Sequence, residues 1–236
     1  MPEIVIKNAP QDYQPHLKAA DINRNGKIDS ASEAKEAALS FCREEFSDCD
    51  QIVEYLRSER FPLTRRAVDQ SLAERIIMAP GKNETSLRRS ANLLGKLLLL
   101  EIKPKTKLMA VETLLKSTSA QEPQTLFAVF GALEDLAESD LPVSLKENVV
   151  AHIAAASRSD DKFRRILAVR ALGEYAEVNI SLEAKRSAIE HLILRLKDVE
   201  ERIVEATLDS LHNYYVSKLP DELRTRIRNA IKAAKN

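Results

Sequence analysis

The residues best suited to chemistry lie in the run Asp21-Ile22-Asn23-Arg24-Asn25-Gly26-Lys27-Ile28-Asp29-Ser30-Ala31-Ser32-Glu33. Oxygen-bearing side chains stand at the first, third, fifth and ninth places. A glycine at the sixth allows a sharp turn, and Lys27 at the seventh offers a backbone carbonyl. Oxygen donors alternating around a turn suit a hard cation such as Ca2+, which takes carboxylate, amide and backbone oxygens in a flexible shell. The competing reading is an Asx-rich turn about Asn25-Gly26 that leads into an ordinary capped helix.

Local elements must position these groups. Met1 to Tyr13 reads as an extended lead-in, and Pro15 suits the first turn of a short helix that delivers the chain to Asp21. A second helix, about Ala31 to Phe46, carries the chain away, with Ser30 and Glu33 spaced as an S-x-x-E capping box. The segment resembles the calcium loop of an EF-hand, and the resemblance implies Asp21, Asn23, Asn25, Lys27 (through its carbonyl), Asp29 and Glu33 as the candidate ligand set. That resemblance implies an acid at the twelfth place, where Ser32 stands; Glu33 comes one residue late. One residue inserted after Asp29 would displace Glu33, the capping box and the apolar face Ala34, Ala37, Ala38, Phe41 together. Otherwise Glu33 is only a cap. EF-hands pair through the residue at the eighth place, here Ile28, yet the chain holds no second loop. Ile28 is therefore expected to pack on the helical remainder or on a second copy. With few carboxylates the resemblance implies weak affinity, on the order of 10⁻⁴–10⁻³ M.

The remainder of the 236 residues is organised by helical periodicity. Hydrophobic residues make up 44%, enough for a core, while five glycines and no tryptophan disfavour an all-β fold. Apolar residues recur at helical spacing through Ile52–Leu56, Ala67–Ile77 (stopped by Pro80-Gly81), Leu87–Ile102, Leu108–Leu115, Leu126–Leu133, Leu145–Ile153, Ile166–Leu172, Ala184–Leu196, Ile203–Leu211 and Leu223–Ile231. Starts are marked by Asn83, Pro104, Glu122-Pro123, Pro142, Asp160-Asp161, Ser181, Asp198 and Pro220. Helix pairs returning about every 36–42 residues indicate an α-solenoid. The pairs Leu94-Gly95, Phe130-Gly131 and Leu172-Gly173 are expected to mark equivalent close approaches of helices. Arg164–Tyr175 resembles the first helix of a HEAT repeat. The expected fold is all-α: residues 1–46 as lead-in and EF-hand-like helix-loop-helix, then 47–236 as a HEAT-like solenoid of four to five antiparallel pairs. HEAT-like repeats imply a scaffold that binds other macromolecules, so a protein partner is expected, with no particular one implied.

Other chemistry is sparse. Lys+Arg and Asp+Glu both total 36, and a formal net charge of zero argues against nucleic acid, whose binders carry a basic excess. The alternative function is a nucleic-acid-binding or DNA-repair-type module using Arg65-Arg66, Arg88-Arg89, Arg164-Arg165 and Arg224, Arg226, Arg228. It requires a continuous basic groove; a groove of mixed sign would sink it. His16, His152, His191 and His212 are scattered, and no phosphate loop, dinucleotide fingerprint or nucleophile motif is present, so no catalytic residue is named. Tyr175, Tyr214 and Tyr215 read as packing or rim residues. Cys42 and Cys49 read as free thiols, bridged only if the chain turns between them. The start lacks a signal-peptide pattern and no apolar run spans a bilayer. The chain is expected to be cytoplasmic, or periplasmic or secreted if a leader has been removed.

Overall fold

The computed structural model describes residues 2–79 and 83–234; the expected stop at Pro80-Gly81 lies outside them. The described residues form twelve α-helices and one two-stranded ribbon. Two compact units divide the chain. One gathers the chain up to Met78 with Leu100–Thr106; the other gathers Ala79–Leu99 and the chain from Lys107 on. Residue 46, where the sequence reading ends the helix-loop-helix, lies within the first unit.

In the first unit, β1 (Ile4–Val5) pairs antiparallel with β2 (Lys27–Ile28), with Ile4 opposite Ile28. Helices α1 (Gln14–Ala20) and α2 (Ala31–Glu44) flank the loop and pack on each other. Ala34, Ala37, Ala38 and Phe41 form the buried face of α2, as the periodicity predicts. A short 3-10 turn, Phe46–Asp48, swings the chain into α3 (Cys49–Ser58), and α4 (Arg65–Met78) follows. That turn brings Cys42 and Cys49 into a disulfide with Cα atoms 4.8 Å apart. The sequence leaves the pairing open, conditional on a turn between the two cysteines, and the structure supplies that reversal, which helical periodicity does not register.

The second unit repeats one plan. Helix α5 (Glu84–Leu98) is followed by α6 (Pro104–Ser117), whose residues up to Thr106 belong to the first unit. Then come α7 (Pro123–Asp135) with α8 (Val143–Ala156), α9 (Lys162–Glu174) with α10 (Leu182–Arg195), and α11 (Glu201–Val216) with α12 (Asp221–Ala234). The N-caps of α5, α7, α9 and α11 are Asn83, Glu122, Asp161 and Glu200, each thirty-nine residues after the last. Leu94, Leu133, Leu172 and Leu211 keep the same interval and are all buried. The repeat is therefore strict, where apolar spacing predicts only a range. Helices α5, α7, α9 and α11 stack in sequence as one layer, and α8, α10 and α12 stack as another.

Recurring bonds hold this register. The Tyr175 hydroxyl donates to the Leu133 carbonyl at 2.7 Å, and Tyr214, one repeat later, donates to that of Leu172 at 3.1 Å. Both tyrosines are fully buried, and burial raises the pKa of each hydroxyl. They are packing residues. Lys146 and Lys185, again one repeat apart, each place an ammonium on a carbonyl just past the preceding helix, Ala137 and Ala176, at 2.9 Å. A cation there complements the helix C-terminus. Asp198 does not open α11; it accepts from Arg165 at 2.9 and 3.0 Å and from Arg195 at 3.4 Å, and Glu200 takes the N-cap place.

The glycine expectation holds at two of three places. A Cβ on Gly95 would lie 2.9 Å from that of Ala132, and one on Gly173 would lie 2.7 Å from the Ser210 hydroxyl. Gly131 has nothing within 4 Å of such an atom. In the thirty-nine-residue register Gly95 and Gly173 correspond to Glu134, so Gly131 lies one turn away from the equivalent position.

Candidate functional site

The N-terminal loop is built on a reversal. Arg24 (φ 54) and Gly26 (φ 77) adopt left-handed backbone, comfortable for glycine and sparsely populated for arginine. Asp21 accepts from the backbone of Asn25 at 3.2 Å and of Gly26 at 2.8 Å, one bond to each carboxylate oxygen. The Asn25 side-chain oxygen accepts from Lys27 N at 2.9 Å, and its amide donates to Asp29 at 3.2 Å. The Lys27 side chain turns outward to Glu3 at 2.9 Å.

Glu33 is the one buried acid of the candidate set, 1% exposed. Its two oxygens accept from Ile22 N and Asp29 N, both at 3.1 Å, so it ties the entry of the loop to its exit. Burial alone would raise its pKa, but bonds from Asp29, Ile22 and Ser30 outweigh that and lower it. The expected capping box is only half formed. Glu33 N donates to the Ser30 hydroxyl at 3.2 Å, while the returning carboxylate takes the N–H of Asp29 instead of Ser30. Among the described residues no group of three or more His, Cys, Asp and Glu is placed to hold a metal ion. Ile28 is fully buried, and its strand partner is Ile4 of the lead-in, an element that sequence reasoning leaves unpaired. The signal lay in the Ile4-Val5-Ile6 run.

Most arginines of the expected clusters are engaged within the fold. Arg65 bonds Asp69 and Asp50 and lies over the Phe46 ring, and Arg66 pairs with Glu101. Arg164 donates to the Ala120 carbonyl, and Arg165 is held by Asp198. Arg224 pairs with Asp221, Arg226 with Glu190, and Arg228 donates to the Tyr215 hydroxyl. A spacing of one helical turn puts cations within reach of acids and carbonyls of neighbouring elements.

The accessible surface of the first-helix layer offers two joined clefts. One, ≈ 470 Å³, lies between α9 and α11 and is lined by Ile166, Arg170, Glu174, Arg202, Glu205 and Asp209 among others. The other, ≈ 390 Å³, shares Glu174 and Asn213 with it and continues to Glu138, Glu177, Val178 and Val216. The lining is mixed in sign and turns acidic toward the C-terminal ends of α7 and α9. Burial, then the charge of Glu174, push the nearby Glu134 carboxyl up to about 7, partly opposed by Arg170.

Comparison with known proteins bears on the fold. No protein-family model matches the chain, and no curated protein does. Two engineered proteins of the Northeast Structural Genomics Consortium are similar in structure. One has TM-score 0.50 and 15% identity, over 96% of this chain and 97% of that one. The other has TM-score 0.55 and 15% identity, over 94% and 87%. A designed armadillo repeat protein in complex with the peptide (KR)4 matches at TM-score 0.50 and 13% identity, over 94% and 87%. The chain is a helical repeat protein. Among the described residues no helix is long and apolar enough to cross a membrane.

Proposed function

We propose that this chain is a non-enzymatic scaffold that binds a protein partner along its repeat layer. The observation that carries the reading is the pair of clefts on α9 and α11, which share Glu174 and Asn213, together with the large apolar side chains that the same helix layer leaves in water, Phe127 and Phe163, 65% and 50% exposed. Large apolar side chains left in water beside a groove mark interaction surfaces. A designed repeat protein of similar fold holds a peptide, which is in keeping with this use. Two helices per strict repeat favour a HEAT-like type. The mixed sign of the clefts and the engagement of the arginines within the fold favour protein over nucleic acid. Full-length chain immobilised beside a Phe127→Ser/Phe163→Ser variant tests the reading. A partner retained by the wild type and lost by the variant is expected; identical capture by both, or none by either, overturns it.

A second, narrower reading concerns the N-terminal loop, which we infer to be a weak Ca2+ site. It is favoured by the side-chain oxygens that Asp21, Asn25 and Asp29 bring to one tight turn around Gly26. In this reading Asn23 and the Lys27 carbonyl complete the shell, and Glu33 joins only by releasing the backbone of Ile22 and Asp29. Calorimetric titration to millimolar calcium should give heat that Asp21→Ala abolishes. Equal behaviour of the two proteins leaves the loop as a turn.

A further inference from the structure

The two clefts form one track along α9. From Ile166 to Glu174 it rises about 12 Å, since a helix advances roughly 1.5 Å per residue, and an extended chain of about four residues spans that length. Its ends differ in chemistry. At the start, Ile166 lines the track; Phe163 lies one turn before it, and Phe127 holds the place of Ile166 in the preceding repeat, both phenylalanines exposed. Arg170 and Arg202 face the middle alongside Glu205 and Asp209. At the far end stand Glu138, Glu174 and Glu177, with Val178 and Val216 as the apolar wall. Among the described residues none of these three glutamates enters an ion pair. The last turns of α7 and α9 direct the negative ends of their dipoles to the same edge. Lys146 and Lys185 reach that edge from α8 and α10, but their ammonium groups cap the carbonyls of Ala137 and Ala176. The charge of Glu177 acts on Lys185, but three glutamates against that one ammonium leave the edge a net anionic pocket, at the opposite end of the track from apolar Ile166.

We propose that this track binds an extended segment of a partner protein bearing an apolar side chain and, about four residues on, a lysine or arginine held among Glu138, Glu174 and Glu177. The assignment rests on the scaffold reading above. Charge complementarity selects the occupant: a cation relieves like-charge repulsion among the glutamates, whereas a second copy would bring the same acidic edge against itself. Opposite charges at such a rim raise association rate and specificity and are screened by salt.

Fluorescence anisotropy on the full chain tests it, using a labelled acetyl-Phe-Ala-Ala-Ala-Lys-Arg amide, its Glu-Glu counterpart and its Phe-to-Ala counterpart. The basic peptide is expected to bind at least tenfold more tightly than either control and to weaken with salt. An E174K/E177K variant, which changes two exposed side chains, should keep the wild-type melting temperature, lose at least tenfold for the basic peptide and gain for the Glu-Glu one. Equal binding of basic and acidic peptides, indifference to E174K/E177K, or displacement of the peptide by single-stranded nucleic acid or by self-association overturns the proposal. Partner capture that depends on Phe127 and Phe163 but not on the glutamates sinks this inference and leaves the scaffold reading standing. Absence of any partner capture sinks both.

Discussion

Glu33 closes its loop with its own carboxylate. Both oxygens sit on backbone N–H groups, and burying such a donor without an acceptor costs about 1–3 kcal/mol. Glu33→Ala should therefore destabilise the first unit by about that amount in urea unfolding, with faster amide exchange at Ile22 and Asp29. Because its pKa is lowered in the fold, this contribution is present above the ordinary glutamate range and fades as pH falls through the folded value. Glu134 works in the opposite sense. Its carboxyl rises from 4.5 to about 7, so the folded state holds the proton more tightly than the unfolded chain. Its contribution to stability therefore falls as pH rises from about 4.5 to 7. Denaturation curves across that window should show the slope, and Glu134→Gln should remove it. Glu174→Gln should lower the Glu134 midpoint in a carbon-13 titration, while Asp135 and Arg170 continue to act on it.

Glycine and ion-pair geometry decide matters between elements. Gly173 lets α9 approach α11, since any Cβ would strike Ser210. Gly173→Ala is expected to cost about 1–3 kcal/mol through forced displacement of a packed helix. Gly131→Ala meets open space and should stabilise by up to about 1 kcal/mol through helix propensity. Thermal melts of the two variants should move in opposite directions. Asp198, 3% exposed on its side chain, joins the start of α9 to the α10–α11 connection through Arg165 and Arg195. Asp198→Ala strands a nearly buried guanidinium and should cost about 3 kcal/mol in chemical denaturation. Both effects follow from what faces a residue across a helix boundary, which its own helix does not reveal.

For the molecule as a whole, the disulfide affects one unit. Cys42–Cys49 closes a short loop between α2 and α3, and a loop of that size is worth about 2–3 kcal/mol in the chain-entropy account. Reduction should speed amide exchange in residues 2–78 and leave 107–234 unchanged. Alkylation of protein purified without reductant should find no free thiol, the state favoured in an oxidising compartment.

The amino-acid sequence by itself determined the helices, because periodicity, caps and prolines act within a few residues. Asp161 and Ser181 do cap α9 and α10, and the face Ala34–Phe41 is buried as its spacing predicts. It also determined the tandem character of the chain, since each pair must bury the same apolar stripe on the next. The candidate loop was legible as a turn rich in oxygen donors between two helices. Tertiary structure decided what those donors do. Glu33 reaches neither Asp21 nor the N–H of Ser30 but bridges Ile22 and Asp29, and Ile28 finds Ile4 more than twenty residues upstream. It also decided which glycine is a close approach, which arginines are spent on internal acids, and that Cys42 and Cys49 meet. Each of these depends on the relative placement of elements, a property of packing that residue spacing within one element does not carry.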